Sequence, residues 1–121
     1  MTPEGLTGDD FRRIALSFPG AIESSHMGTV DFRAGRIFAT LGYPDASFGM
    51  VKLAPERQEM LIAAEPAIFQ PVKGGWGASG ATLLRLAACD EATATSALTS
   101  AWRSVASKTL LKAFDAADGA A

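Results

Sequence analysis

The chain has one histidine, His26, and one cysteine, Cys89, so catalysis by a nucleophile or general base has few residues to draw on. An imidazole can activate a hydroxyl or thiol, which makes Ser24, Ser25 or the distant Cys89 the nucleophiles that a catalytic reading must invoke. No carboxylate is placed by sequence to orient the ring as in a triad, and the plain reading of His26 is a strand-edge histidine bonded to its neighbours. Gly75, Gly77 and Gly80 satisfy GxGxxG, whose glycines let backbone approach a pyrophosphate at a helix N-terminus. Here Trp76 fills the first variable position and a strand is expected next, so the segment reads as a turning loop. Ser79 misses the GxSxG nucleophile elbow by one residue. Glu56 and Glu59 lie one helical turn apart, where carboxylates ordinarily favour the positive end of a helix. No catalytic residue, no metal and no cofactor is expected from this set. A single cysteine excludes an internal disulfide, and one cysteine with one histidine excludes a structural zinc set.

The basic residues offer better chemistry. Arg33 and Arg36 flank a predicted hairpin turn, Lys52 lies on a predicted strand, and Lys73 stands three residues before Trp76 in a glycine-rich loop. Basic hairpin tips can sit against phosphates, and an exposed indole can stack on a base or sugar, so Arg33, Arg36, Lys52, Lys73 and Trp76 form the expected nucleic-acid-binding set. Eleven Lys+Arg against thirteen Asp+Glu give a formal net charge of -2, which confines any such site to a local patch. The same residues also have a plain reading, as solvated cations and a core-covering tryptophan. The competing function is a protein-interaction or homodimerisation domain that uses a sheet edge or an apolar helix surface. The longest strictly apolar run, Met60 to Ala64, is far short of the roughly 20 residues that cross a bilayer. The N-terminal MTPEGLTGDD lacks the basic and apolar regions of a signal peptide, so no membrane association and a cytoplasmic location are expected.

The elements that would position these residues follow from patterning. A length of 121 residues with 48% apolar and 20% charged residues fits one globular domain over 1–121, with frayed ends expected at 1–6 and 115–121. Thr7 and Asp10 resemble a capping box, and Phe11, Ile14, Ala15 and Phe18 follow helical spacing, predicting a helix from about Gly8 to Phe18 that Pro19-Gly20 ends. The period then becomes two. Val30 and Phe32, then Ile37, Ala39 and Leu41, then a segment from about Phe48 to Leu53, predict three antiparallel strands, with Ala34-Gly35 and Gly42 to Ser47 as turns. Pro55 suits the first position of a second helix with Met60, Leu61 and Ala64 on its apolar stripe. Ala67 to Gly80 reads as an irregular edge with a short strand at Ile68 and Phe69, and Thr82 to Ala88 as a strand. Asp90 caps a third helix whose inner stripe runs through Ala94, Ala97, Leu98, Ala101, Trp102 and Val105, and Lys108 to Phe114 continue or restart it. These elements bury their apolar faces as a two-layer α+β domain of order α-β3-α-β2-α, with helices on one face of an antiparallel sheet.

Several segments, in this order, resemble the MmcQ/YjbR-like family: FRRIALSFPGAIESSHMG at 11–28, DFRAGRIFATL at 31–41, VKLAPERQEMLIA at 51–63, GGWG at 74–77 and AWRSVA at 101–106. Arg36 stands where the family often has lysine. The resemblance implies a secretion-chaperone-like α+β arrangement and a suspected DNA-binding role, without a catalytic signature.

Overall fold

The computed structural model describes residues 5–120. Helix α1 (Gly8–Leu16) starts from a complete capping box: the Asp10 amide donates to Thr7 Oγ1 at 3.1 Å, and the Thr7 amide donates to Asp10 Oδ2 at 2.9 Å. Its buried residues are Phe11, Ile14 and Ala15. The chain then forms β1 (Ile22–His26), β2 (Thr29–Ala34), β3 (Arg36–Leu41) and β4 (Phe48–Lys52), followed by α2 (Pro55–Ala64) and β5 (Phe69–Pro71). A four-residue helical turn, α3 (Gly75–Ala78), leads into β6 (Ala81–Arg85) and a 3-10 turn at Leu86–Ala88. Two helices complete the chain, α4 (Glu91–Val105) and α5 (Lys108–Ala120). The six strands form one antiparallel sheet in the order β1-β2-β3-β4-β6-β5.

The expected two-layer α+β architecture is present: α1 and α4 pack on β3 and β4, and α2 packs on β5. Phe11, Phe32, Phe38 and Trp102 are fully buried between the layers, and Phe18 stacks on Trp102 with ring centroids 5.6 Å apart. Trp102 Nε1 donates to the Pro19 carbonyl at 3.0 Å, so its one polar atom is satisfied inside the core. Gly49 is required by this packing, because a Cβ there would stand 2.5 Å from the Phe11 ring.

Five details depart from the sequence reading. The segment before α2 holds four strands, not three: β1 is a polar edge strand joined to β2 by the two-residue turn Met27-Gly28, both at positive φ. In β3 an extra residue breaks the alternation. Phe32 pairs with Ala39 and Arg33 with Ile37, which leaves Phe38 unpaired in a bulge. Phe38 thereby enters the core beside Ala39, and Ile37 turns to the opposite face, reversing the roles expected for these two residues. On α2 the buried residue is Gln58, whereas Met60, expected on the apolar stripe, is 51% exposed. Leu83 is buried along with Leu84, because β6 is covered on both faces: Leu83 joins Phe48, Val72 and Ala81 in a second cluster. Finally, the last helix, α5, runs past Phe114 to Ala120, and at the other end the Leu6 amide donates to the Leu86 carbonyl at 2.9 Å. The expected fraying at residues 1–4 and 121 lies outside the described residues.

Candidate functional site

The sheet face turned away from α1 and α4 carries the side chains that strand alternation places opposite the core. By register, His26 belongs to this face on β1, Asp31 and Arg33 on β2, Ile37 and Thr40 on β3, Met50 and Lys52 on β4, and Ala81 on β6. The α3 turn folds over this face and sets Trp76, 73% exposed, above it. Between the indole and the sheet lies a cleft of about 390 Å³, bounded by His26, Thr40 and Met50, with Met27 and Tyr43 at its rim. A second lobe of about 200 Å³ shares His26, Thr40, Met50 and Trp76 and adds Ile37, Lys52 and Ser79. The lining is mostly apolar, and none of it is acidic.

The Trp76 turn is held from below. Gln58 Nε2 donates to the Gly77 carbonyl at 2.9 Å and to the Ala81 carbonyl at 3.2 Å, tying α2 to the turn and to the start of β6. A Cβ on Gly77 would collide with the Val72 carbonyl, and one on Gly80 with that of Leu53. Two glycines of the GxGxxG pattern, Gly77 and Gly80, therefore serve close packing, whereas a Cβ on Gly75 would meet open space. The unit is strand, four-residue turn and antiparallel strand, which lacks the βαβ context of a dinucleotide fingerprint.

At the other end of the cleft is a charged cluster that sequence spacing does not reveal. Asp31 is fully buried, and its carboxylate accepts from Arg33 Nε at 2.7 Å and Arg33 Nη2 at 3.0 Å. His26 Nδ1 lies 2.7 Å from Asp31 Oδ2. The hydrogen bonds from the Arg33 guanidinium hold the Asp31 carboxyl below its ordinary range against the opposing effect of burial, and His26 adds to the lowering. Because Asp31 is an anion and can only accept, Nδ1 of His26 is the protonated nitrogen. Nε2 of the neutral ring is then an acceptor, and it has no hydrogen-bond partner among the described residues. His26 is thus the expected strand-edge histidine, but it has the orienting carboxylate that the sequence reading lacked. Among the described residues no hydroxyl or thiol is hydrogen-bonded to the ring. Ser24 and Ser25 line neither lobe, and Cys89 is buried with its thiol pushed up to about 12 by desolvation, which removes it as a reactive thiolate.

The five residues singled out as a nucleic-acid set are distributed unevenly. Lys52 and Trp76 line the same lobe. Arg33 shares their face, but two of its nitrogens are committed to Asp31, with Nη1 left over. Arg36 pairs with Ala34 at the hairpin tip and belongs by register to the core side of the sheet, where it is exposed. Lys73 is exposed one residue after Val72, which lines the larger lobe. Among the described residues no carboxylate lies within ion-pair distance of Arg36, Lys52 or Lys73. His26, Asp31, Thr40 and Met50 are the residues that sequence reasoning did not assign to a common site. No helix among the described residues is long and apolar enough to cross a membrane.

The fold is similar to that of the crystal structure of Deinococcus radiodurans protein DR2400, which carries the family-model domain DUF419. The match has a TM-score of 0.69 at 21% identity and covers 92% of this chain and 88% of that one. A search among curated proteins finds none that matches. The family model YjbR matches residues 16–104, a span that contains all six strands, the cleft and most of α4. The chain belongs to the YjbR family.

Proposed function

We propose that the protein is a small non-enzymatic DNA-binding module that takes a single strand across its uncovered sheet face. The observation that carries this reading is the joint presence of Lys52 and the exposed Trp76 in one cleft that contains no acidic side chain. An indole stacks on a base only where that base is unstacked from its neighbours, which favours single strands over duplex. Lys52 and Lys73 would meet phosphates, Arg33 would use its remaining Nη1, and Arg36 would extend the track past the hairpin tip. The net charge of -2 limits long-range steering, so affinity has to come from this patch.

The test is fluorescence anisotropy of a labelled mixed-sequence 20-mer, single-stranded and duplex, over a salt series. Single-strand binding is expected to weaken with salt at a log–log slope of about -0.7 per phosphate neutralised. Lys52→Ala and Lys73→Ala should each flatten that slope. Trp76→Ala should weaken binding by about tenfold or more, since one base–aromatic stack contributes roughly 1–3 kcal/mol. Affinity that is unaffected by salt and by all three substitutions would overturn the reading.

A protein-interaction or homodimerisation role is the second reading, favoured by Met27. This residue is 97% exposed at the cleft rim and sits at φ 50°, a conformation non-glycine residues seldom adopt. Its signature is a salt-insensitive dimer in analytical ultracentrifugation that Met27→Ser dissociates.

A further inference from the structure

We infer that the two lobes of the cleft form a seat for one nucleotide, with the base edge read by His26 and Thr40 and the phosphate held by Lys52. The inference rests on the nucleic-acid reading above and assigns roles within it that exposure and charge alone do not give.

The base end is defined by two polar groups that the fold leaves without partners. In the neutral ring the Asp31 contact keeps the proton of His26 on Nδ1, and Nε2 is then an acceptor on a residue that lines the cleft. Thr40 is 5% exposed and its hydroxyl makes no hydrogen bond among the described residues, yet the residue lines both lobes. The Thr40 oxygen is not among the fully buried unpaired atoms, so it is reachable from the cleft and can donate to or accept from a group placed there. An acceptor beside a donor is complemented by a ring that offers an N–H next to an acceptor atom, as a nucleobase does. Trp76 closes the cleft from above with a flat aromatic surface, and Met50 forms part of its floor.

The phosphate end follows from strand geometry. His26 and Lys52 are three strands apart across the sheet and four residues apart along it, a Cα separation of roughly 19 Å that side chains reaching inward shorten to on the order of 10 Å. That distance suits a base together with its sugar and phosphate and is too long for a base alone. The volume agrees: the larger lobe, about 390 Å³, falls in the range of roughly 300–1,000 Å³ typical of small-molecule sites.

The experiment is an NMR titration of isotope-labelled protein with thymidine 5′-monophosphate, its N3-methyl derivative and phosphate-free thymidine, in wild type, His26→Leu, His26→Gln and Lys52→Ala. The nucleotide is expected to shift the Trp76 indole N–H and the His26 ring signals. N3-methylation, which removes the ring donor, should weaken binding about tenfold in wild type, the ratio one typical net hydrogen bond carries. The methylation penalty should vanish in His26→Leu and persist in His26→Gln, which keeps an acceptor. Loss of the phosphate should cost a similar factor in wild type and nothing in Lys52→Ala. The assignment is overturned by an absence of shifts at millimolar nucleotide, by a methylation penalty that survives in His26→Leu, or by no penalty in wild type. Failure here with a salt-dependent oligonucleotide affinity removes the seat and leaves the DNA reading. Nucleotide binding without oligonucleotide binding does the reverse.

Discussion

Replacing Asp31 with Asn keeps the shape of the side chain and removes its charge, and the structure sets the size of the effect. Three charge-assisted hydrogen bonds converge on this buried carboxylate, two from Arg33 and one from His26. Hydrogen bonds to charged groups contribute roughly 1.5–3 kcal/mol each, so the gross loss approaches roughly 5–9 kcal/mol. Two effects reduce it. The side chains of Arg33 and His26 are 34% and 39% exposed, so water replaces part of what they lose, and the desolvation cost of the anion disappears with it. A net destabilisation of about 2–3 kcal/mol remains. With a urea m-value of roughly 1–3 kcal/mol per molar, the midpoint should fall by about 1–2 M. The pH dependence gives a second readout. The Asp31 carboxyl is lowered from 3.8 on folding, so protons bind more tightly to the unfolded chain. Its stabilisation is complete above 3.8 and drains away as the pH falls from there through the folded value. The gap between wild type and Asp31→Asn in urea titrations should therefore be flat at neutral pH and close in acid. Other lowered carboxyls such as Asp10 and Asp90 occur in both proteins and cancel in the difference. A midpoint unchanged at pH 7, or a gap that stays constant into strong acid, would refute the assignment of Asp31 as the anionic centre of this cluster.

Gln58→Leu should destabilise the protein by about 1–2 kcal/mol in urea denaturation, since Gly77 and Ala81 lose a buried donor, and it should shift or broaden the Trp76 indole signal; an unmoved indole would separate Gln58 from placement of the turn. Cys89, buried and with its thiol pushed up to about 12, should resist a thiol-disulfide reagent at pH 8 until urea unfolds the chain; immediate stoichiometric labelling of the folded protein would contradict its burial.

Elements whose signals are local were legible in the sequence. The Thr7/Asp10 box and the stripe from Phe11 mark α1, and Asp90, whose side chain accepts from the Thr93 amide at 2.8 Å, marks the start of α4. Elements that depend on a neighbour were not. The strand β1 is polar because only an edge position is asked of it, and its turn puts methionine at positive φ, where turn chemistry leads one to expect Asn or Gly. Missing that hairpin also hid the site. A two-residue turn at Met27-Gly28 sets Ser24 opposite Asp31, and so puts His26 one step diagonally from the carboxylate. Lys52 and Trp76 could be named singly, but their shared cleft depends on β4 pairing into the sheet and on Gln58 holding the α3 turn over it.

The bulge at Phe38 has a consequence for how the chain tolerates change. Counting along β3, core-facing positions are odd-numbered from Leu41 to Ala39 and even-numbered from Phe38 onward, so the strand changes parity within one peptide. Deleting Phe38 would restore a single parity and leave Ile37 on the cleft side and Arg36 on the core side, because both already alternate with Ala39 once the extra residue is gone, at the cost of a fully buried ring. An insertion beside the bulge would instead exchange the two surfaces of everything between it and Gly35. The facing of the hairpin tip is therefore preserved by loss of the extra residue and reversed by gain of another.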